Sequence, residues 1–535
     1  MLCAVPCRFS AVILLVLVAP LAVDGAPEEG RNRPNILVIL ADDMGYSDLG
    51  CYGSEISTPN LDALATGGLR YAQFYNTARC WPTRSALLTG YYAQQVAADS
   101  LPGVNQGGHR VRPAWGRLLP ELLKPYGYHS YHAGKWHING SAIEGGFQRS
   151  YRMADHNRFF TPRHHSLDGK GLPKKTLKDD YYVTTGIADY AIDFLREHHA
   201  QHQGKPFFEY VAFTSPHFPL HAPADDIARY AGRYNAGWDA VRAARWERMQ
   251  QTALPDVRLS RLEPKIGPPY DFPESLALLG AGEVNRERAW DSLSPQQQDF
   301  QAAKMEIHAA MIDRMDQEIG RIVTTLKQLG EYENTVIFFL SDNGASAEIM
   351  VRGDGHDPAA DPGSASSYLC LGPGWSSAAN TPFRRHKTWV HEGGIATSMI
   401  VHWPAHIEAP GAWRQAVGHV IDIAPTILEL AGGRWPEQHG GQDVPRSPGR
   451  SLVKTFSKDI PLQREALWWF HEGNRAIRAG DWKLVAARNN PWELYDLSED
   501  RAETRNLADR LPDRVAQLST LWNEYASAFQ ELATH

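Results

Sequence analysis

Residues 36–43 read Ile36-Leu37-Val38-Ile39-Leu40-Ala41-Asp42-Asp43. Six apolar residues in a row, with nothing polar alternating between them, describe a strand covered on both faces, as in a parallel sheet. Two carboxylates follow at once. The same pattern recurs along the chain: Val336–Leu340 leads into Ser341, Asp342 and Asn343, Phe207–Phe213 into Pro216 and His217, and the segment around Tyr131 into Lys135 and His137. Helical stretches separate these runs, and the clearest carries Met311, Met315, Ile319, Ile322, Leu326 and Leu329 at helical spacing, with a stop at Gly330. The pattern predicts an α/β fold: a large, mostly parallel mixed sheet flanked by helices. Ligands of open α/β sheets lie beyond the carboxyl ends of the strands. One site can therefore collect all of these polar residues.

Beyond Pro436 the runs shorten to Leu467–Phe470, Ala476–Arg478 and Trp482–Val485, with Gly480 and Asp481 between the last two. This predicts a smaller antiparallel sheet with a hairpin, closed by a helix near the C-terminus. The expected organisation is a catalytic domain over 33–435 and an α+β subdomain over 436–535, with 224–301, rich in Arg, Trp and Pro, as an insertion. At the start of the chain Arg8 precedes an apolar stretch from Ala11 to Val23, and Gly25 and Ala26 follow. That stretch is shorter than the ~20 residues of a spanning helix, so residues 1–26 read as a secretory signal peptide and not as a stable membrane anchor. Export, to the periplasm or beyond the cell, is the expected destination.

With 43% hydrophobic and 21% charged residues over 535 positions, the chain has material for a large core. Its net charge of −7 and the absence of a basic block argue against nucleic acid or an anionic membrane surface as a partner. Any anion it binds must be caught locally. Cys3 and Cys7 would leave with the signal peptide, and Cys51, Cys80 and Cys370 form an odd set, so at least one thiol stands outside any intramolecular disulfide. In an oxidising compartment a free thiol is a liability unless it has a chemical use.

Cys80 has the context for one. It opens Cys80-Trp81-Pro82-Thr83-Arg84, followed by Ser85, Ala86, Leu87, Leu88, Thr89 and Gly90. Pro82 suits a first helical turn and Gly90 a helix end, which places Cys80 at a helix N-terminus where backbone N–H groups attract anions. A structural thiol beside an ordinary helix start is the plain alternative, yet composition predicts only roughly 0.03 chance matches to Cys-x-Pro-x-Arg.

The sequence resembles the type I sulfatases of the alkaline-phosphatase superfamily, in the arylsulfatase group. The resemblance rests on this motif and on Asp42-Asp43-Met44-Gly45-Tyr46, Thr58-Pro59-Asn60-Leu61, Gly134-Lys135-Trp136-His137, Ser215-Pro216-His217, Asp342-Asn343-Gly344 and Glu392-Gly393-Gly394, in the family's order from Asn35 to about Leu507. It implies an alkaline-phosphatase-like sheet, a bound Ca²⁺, and a Cys80 oxidised to formylglycine by a separate maturation enzyme. It also implies roles. A hydroxyl of the hydrated aldehyde at position 80, near Asp342, attacks sulfur; His217, assisted by Lys387, protonates the departing alcohol; and His137 deprotonates the second hydroxyl, which expels sulfate.

The residues by themselves agree with that resemblance. Asp42, Asp43 and Asp342 at adjoining strand ends would repel by about 4 kcal/mol per pair at 4 Å and an effective dielectric of 20, so a cation is expected among them, with Asn343 as a neutral oxygen ligand and residue 80 beside it. An all-oxygen set suits Ca²⁺, with Mg²⁺ second. Taken singly, the acids read as solvated turn residues; taken together they read as a site. Lys135 and His137, two apart in an extended segment, should point the same way, and Arg84, His217 and Lys387 add donors for sulfate oxygens. Around Lys387, the crowd of Arg384, Arg385 and His386 leaves the identity of that lysine the weakest assignment. His402, His129 and His132 read as structural. The polar stretch 353–381 is the candidate substrate rim, with His356 and Trp375 set to recognise a sugar, while Trp468 and Trp469 fit either that rim or the core. Two rivals stand beside the hydrolysis of aryl or carbohydrate sulfates: a phosphonate monoester or phosphodiester hydrolase of the same superfamily, and a noncatalytic binder of sulfated glycans.

Overall fold

The computed structural model describes residues 1, 33–102, 111–252, 254 and 256–534; the predicted signal peptide, with Cys3 and Cys7, lies outside the described residues. The opening run forms β1 (Asn35–Ala41), every residue buried. It lies at the centre of an eleven-stranded sheet with β2 (Leu69–Tyr75), β3 (His129–Gly134), β4 (Arg149–Met153), β5 (His165–Leu167), β6 (Lys170–Gly171), β7 (Phe207–Ala212), β8 (Thr335–Ser341), β9 (Ala396–His402), β10 (Ala412–Arg414) and β11 (Gly418–His419). The order is β10-β2-β9-β8-β1-β7-β3-β4-β5-β6, with β11 also on β2. The pairs β8-β1-β7-β3-β4 are all parallel, while β9 runs antiparallel between β2 and β8, so the sheet is mixed as expected.

Helices cover the sheet. The helix Pro295–Gln328 starts on a Ser294–Gln297 capping box with Pro295 in its first turn, and buries Met311, Met315, Ile319, Ile322 and Leu326 completely. It ends just before Gly330, whose φ of +75° no β-branched residue would adopt readily. The segment 224–301 holds the helices Ala224–Ala228, Gly237–Gln250 and Pro273–Leu279, and Arg245 from the second ties it to the catalytic layer through Asp48 at 2.7 Å and Glu55 at 2.8 Å.

The C-terminal part contains a small hairpin, β12 (Gln438–His439) with β13 (Gln442–Asp443), and a four-stranded antiparallel sheet in sequential order: β14 (Leu467–His471), β15 (Asn474–Ala479), β16 (Trp482–Ala486) and β17 (Glu493–Asp496). The helix Pro512–Thr534 closes it, with Trp522 stacked on Trp468 at 5.6 Å between ring centroids. Trp468 and Trp469 are therefore core, at 1% and 2% exposure. Among the described residues no helix is long and apolar enough to cross a membrane, and Cys51, Cys80 and Cys370 are all free thiols.

Candidate active site

The sheet register builds the site. Ala41 pairs with Ser341, so Asp42 and Asp342 follow side by side at the carboxyl ends of β1 and β8. The Asp342 amide donates to Ala41 O at 3.1 Å and the Asp42 amide to Ser215 O at 3.0 Å, which joins a third strand end to the first two. On the next strand out, Gly134 ends β3 with φ +118°, and a Cβ there would stand 2.0 Å from Ala212 O. Only glycine lets the chain turn so close to β7 and deliver Lys135 beside Asp42, to which its ammonium is bound. His137 is not extended, as its spacing from Lys135 suggested, but adopts φ +53° in the left-handed region; it reaches the same cleft by a turn of the backbone.

Cys80 begins the ten-residue buried helix Cys80–Thr89, whose C-cap Gly90 has φ +71°. Thr83 in its first turn accepts from the Thr77 amide at 3.0 Å and fixes the approach of the chain. One ligand atom each from Asp42, Cys80 and Asp342 lie within 4.8 Å of one another, and so do those from Asp42, Asp43 and His217. Asp43 lies 2.7 Å from Lys387 Nζ and accepts from Asn343 Nδ2 at 2.7 Å. The neighbours of Lys387 go elsewhere: Arg384 to Glu263 and Glu493, Arg385 to Glu263, His386 to Glu287. The lysine at 387 is thus the one from this crowd that meets the acid cluster.

Burial opposes ionisation of Asp42, but Lys135, His217 and Arg84 around it outweigh that effect and hold its carboxyl well below the usual range. Burial, with Asp42 as a like charge, pushes Asp342 well above it. Two adjacent carboxyls with opposite displacements mark a charge conflict that a cation would relieve. Asp42 Oδ1 and Asn343 Oδ1 are buried and meet no donor. Orphaned buried oxygens in an all-oxygen set fit a hard divalent cation. Arg84 takes a place different from a direct sulfate donor: its Nε and Nη2 bind Asp342 Oδ2 at 3.0 and 2.7 Å and its Nη1 binds Lys135 O at 2.9 Å. Its donors are occupied in orienting Asp342 and the Lys135 backbone.

Above this floor lies a cleft of about 310 Å³ lined by Cys80, Lys135, His137, His217 and Lys387. His217 donates Nδ1–H to Phe218 O, which leaves Nε2 3.7 Å from Asp43. Burial lowers the pKa of His217 to about 4 and that of His137, with help from Lys135, to about 2. Both rings are neutral near pH 7. Lys387 is held in its charged form: burial works against it, and Asp43 and Glu348 prevail.

The rim differs from expectation. Trp375 is fully buried on the helix Gly372–Ala379, its Nε1 donating to Gln301 O at 2.6 Å and its ring against Trp238 and Trp290. His356 is not among the cleft residues; its Nδ1 accepts from the Tyr368 amide at 3.0 Å. Trp375 is closed off from a leaving group in this position. The wall is built instead by Arg79, Trp81, His156, Asn157, Phe218, Glu348 and Arg352. Of these Arg79 and Trp81 belong to or adjoin the cysteine motif and Phe218 follows Ser215-Pro216-His217, while His156, Asn157, Glu348 and Arg352 come from loops without a sequence signal.

Comparison with known proteins agrees with this geometry. The Sulfatase family pattern matches residues 34–433, and the pattern described as N-sulphoglucosamine sulphohydrolase, C-terminal, matches 384–527. An uncharacterized sulfatase of Schizosaccharomyces pombe is 32% identical over 92% of this chain and 93% of its own. The arylsulfatase of Klebsiella aerogenes is 32% identical over 78% of this chain and 90% of its own. Among solved structures, Ps i-CgsB in complex with k-i-k-neocarrahexaose has a TM-score of 0.64 at 22% identity, covering 92% of this chain and 93% of that one. With a buried cysteine at a helix start, an acid cluster beneath it and a match over most of its length, the chain belongs to the sulfatase family, as a type I sulfatase of the alkaline-phosphatase-like superfamily.

Proposed function

We propose that this sulfatase releases inorganic sulfate from carbohydrate or aryl sulfate esters with a formylglycine made from Cys80 and a Ca²⁺ ion. The observation that carries the proposal is the meeting of Cys80 with Asp42 and Asp342 within 4.8 Å at the floor of the cleft. Asp42, Asp43, Asp342 and Asn343 would hold the ion. When bound, it and the hydrated aldehyde at position 80 would supply an activated hydroxyl and a counter-charge for the sulfate oxygens.

The chain's own side chains do the rest. Lys135 and Lys387 face the cleft and orient the sulfate group. Arg84 holds Asp342 through two hydrogen bonds, so the carboxylate beside residue 80 cannot rotate away. Lys387, held charged, carries the proton for the departing oxygen, and His217, whose Nδ1–H is committed to Phe218 O, sets its unprotonated Nε2 beside it as a relay, both groups lying against Asp43. His137, neutral and with its Nδ1 unbonded, is in the form that accepts a proton.

A glycan as the leaving group is supported by the likeness in fold to a neighbour solved in complex with k-i-k-neocarrahexaose, and by a cleft of about 310 Å³. The apolar stretch from Ala11 to Val23 supports export, and Cys80 would then meet its maturation enzyme before or during that passage. Two measurements test the proposal: peptide mass spectrometry at residue 80 in active protein, and sulfate release from a panel of aryl and sugar sulfates with a phosphonate monoester as control. Unmodified cysteine in fully active material, or faster turnover of the phosphonate, would overturn it.

A further inference from the structure

Four acids and five lysine or arginine side chains meet at the cleft, and each acid has a different one of these cations as its shortest ion pair. Lys135 binds Asp42, Arg84 binds Asp342 at 2.7 Å, Lys387 binds Asp43 at 2.7 Å, and Arg79 binds Glu348 at 3.1 Å. The fifth cation, Arg352, is exposed at the cleft wall, and among the described residues no carboxylate pairs with it. Its guanidinium stands over the Phe218 ring at 5.8 Å, and the His217 imidazole lies 4.1 Å from the same ring between centroids. Arg352 and His217, the ring set beside the departing oxygen, therefore share one aromatic neighbour.

The loop is built to keep it there. Two residues on, Asp354 is gripped by Arg158 through Nε and Nη2, both at 2.9 Å, and by Arg163 through Nη1 and Nη2 at 3.0 and 2.8 Å. On the other side the Val351 amide donates to Ser275 Oγ at 3.0 Å. Arg158 and Arg163 are thereby occupied, and Arg352 is the guanidinium left facing the cleft.

We propose that Arg352 is a specificity-determining residue that binds a second anionic group, a carboxylate or a second sulfate, on the leaving-group side of the scissile ester. The inference rests on the sulfate-ester reading above, which assigns His217 to the leaving group. A planar guanidinium free of carboxylates matches either anion bidentately. An exposed rim contact of this kind is worth about five- to tenfold in transition-state affinity.

The test compares 3-carboxyphenyl sulfate with its neutral isostere 3-carbamoylphenyl sulfate, and 1,3-phenylene disulfate with phenyl sulfate, on the holoenzyme. Arg352→Gln should lose about five- to tenfold more kcat/KM on the anionic member of a pair than on the neutral one, and Arg352→Lys should recover part of the loss. A selective loss in the first pair identifies a carboxylate, and one in the second pair a sulfate. Equal losses within both pairs overturn the inference while leaving the sulfatase reading intact. If no aryl sulfate turns over, the sulfate-ester reading fails on these compounds, and binding to Cys80→Ala, read as a shift in melting midpoint, carries the comparison. There, equal shifts by charged and neutral compounds overturn the role of Arg352.

Discussion

Two clusters of buried charge flank the same sheet, and they differ in what they leave unpaired. Beneath the cleft, Asp42 Oδ1 and Asn343 Oδ1 meet no donor although both are buried. At the junction with the C-terminal sheet, Lys483 Nζ from β16 lies 2.8 Å from Glu392 Oε1 and 2.8 Å from Glu503 Oε1. There Glu392 Oε2 accepts from Tyr75 Oη at 2.9 Å and Arg501 Nε at 3.3 Å, and Glu503 Oε2 accepts the Glu392 amide at 3.0 Å. Every carboxylate oxygen of the second cluster has a hydrogen-bond or ion-pair partner within the chain, Glu503 Oε1 through the Lys483 ammonium alone, whereas Asp42 Oδ1 has neither. A cluster closed on itself fastens segments together, whereas one with spare buried oxygens is arranged for something the chain does not contain. Residue types alone do not distinguish the two. The Glu392-Gly393-Gly394 motif lies beside Lys387 in sequence, yet its carboxylate belongs to the fastening cluster.

The widest contrast is expected at Cys80. Cys80→Ala should lower turnover by about 10⁴-fold or more and leave the far-UV circular dichroism unchanged, because one small side chain at a cleft floor carries little packing. Measurable turnover within tenfold of the parent protein would separate the chemistry from this residue.

Removing the ion comes next. Exhaustive chelation, checked by metal analysis, should bring sulfate release to background, and Asp43→Ala should do the same even with Ca²⁺ restored. The second cluster should be indifferent to chelation. Full activity in metal-free protein would show that the orphaned oxygens serve another purpose.

Lys483→Ala inverts the expectation. It strands Glu392 and Glu503 without their shared cation, a change worth about 3 to 5 kcal/mol of stability, read as a lower denaturant midpoint. Turnover of the folded fraction should stay within a few-fold, since Lys483 is not among the residues lining the cleft. A large loss in kcat with an unchanged midpoint would make this a catalytic cluster after all.

Which parts of this were legible beforehand follows from what kind of signal each carried. Strand ends were legible because the apolar run and the acid after it are contiguous, so Asp42, Asp342 and His217 could be placed beyond parallel strands without any tertiary knowledge. Cys80 was legible through Pro82 and Gly90, which report local backbone. Trp375 was misread because Gly372, Gly374, Ser376 and Ala378 look like loop composition. Those small residues serve close packing instead: a Cβ on Gly374 would stand 2.6 Å from the Trp238 ring. Small side chains permit either a mobile loop or a helix pressed into the core, and only tertiary contact decides between them. Arg352, Glu348 and His156 were invisible for a different reason. Each lies on a loop held by side-chain ties, such as those of Asp354 to Arg158 and Arg163 and of Glu348 to Arg79, that carry no local periodicity.

The smallest expected effect concerns a buried carboxyl that belongs to neither cluster and sits inside one of the runs read as a strand. Glu209 stands in β7 between its register partners Leu37 on β1 and Tyr131 on β3, fully buried, and neither of its oxygens meets a donor. Burial raises its pKa well above the usual carboxylate range, so the folded chain keeps a proton there that the unfolded chain releases near pH 4.3. The native state then binds more protons than the unfolded one, and stability must fall as pH rises from about 4.3 towards the folded value. Glu209→Gln has no such proton to lose. Its denaturant midpoint should therefore drop less between pH 5 and pH 8 than that of the parent protein, by an amount equivalent to about 1 to 3 kcal/mol. Taking the difference between the two proteins cancels the titration of every other group. Identical pH profiles would mean that Glu209 is not a neutral acid in the fold, and that a cation or donor reaches it as one reaches the carboxylates of the junction.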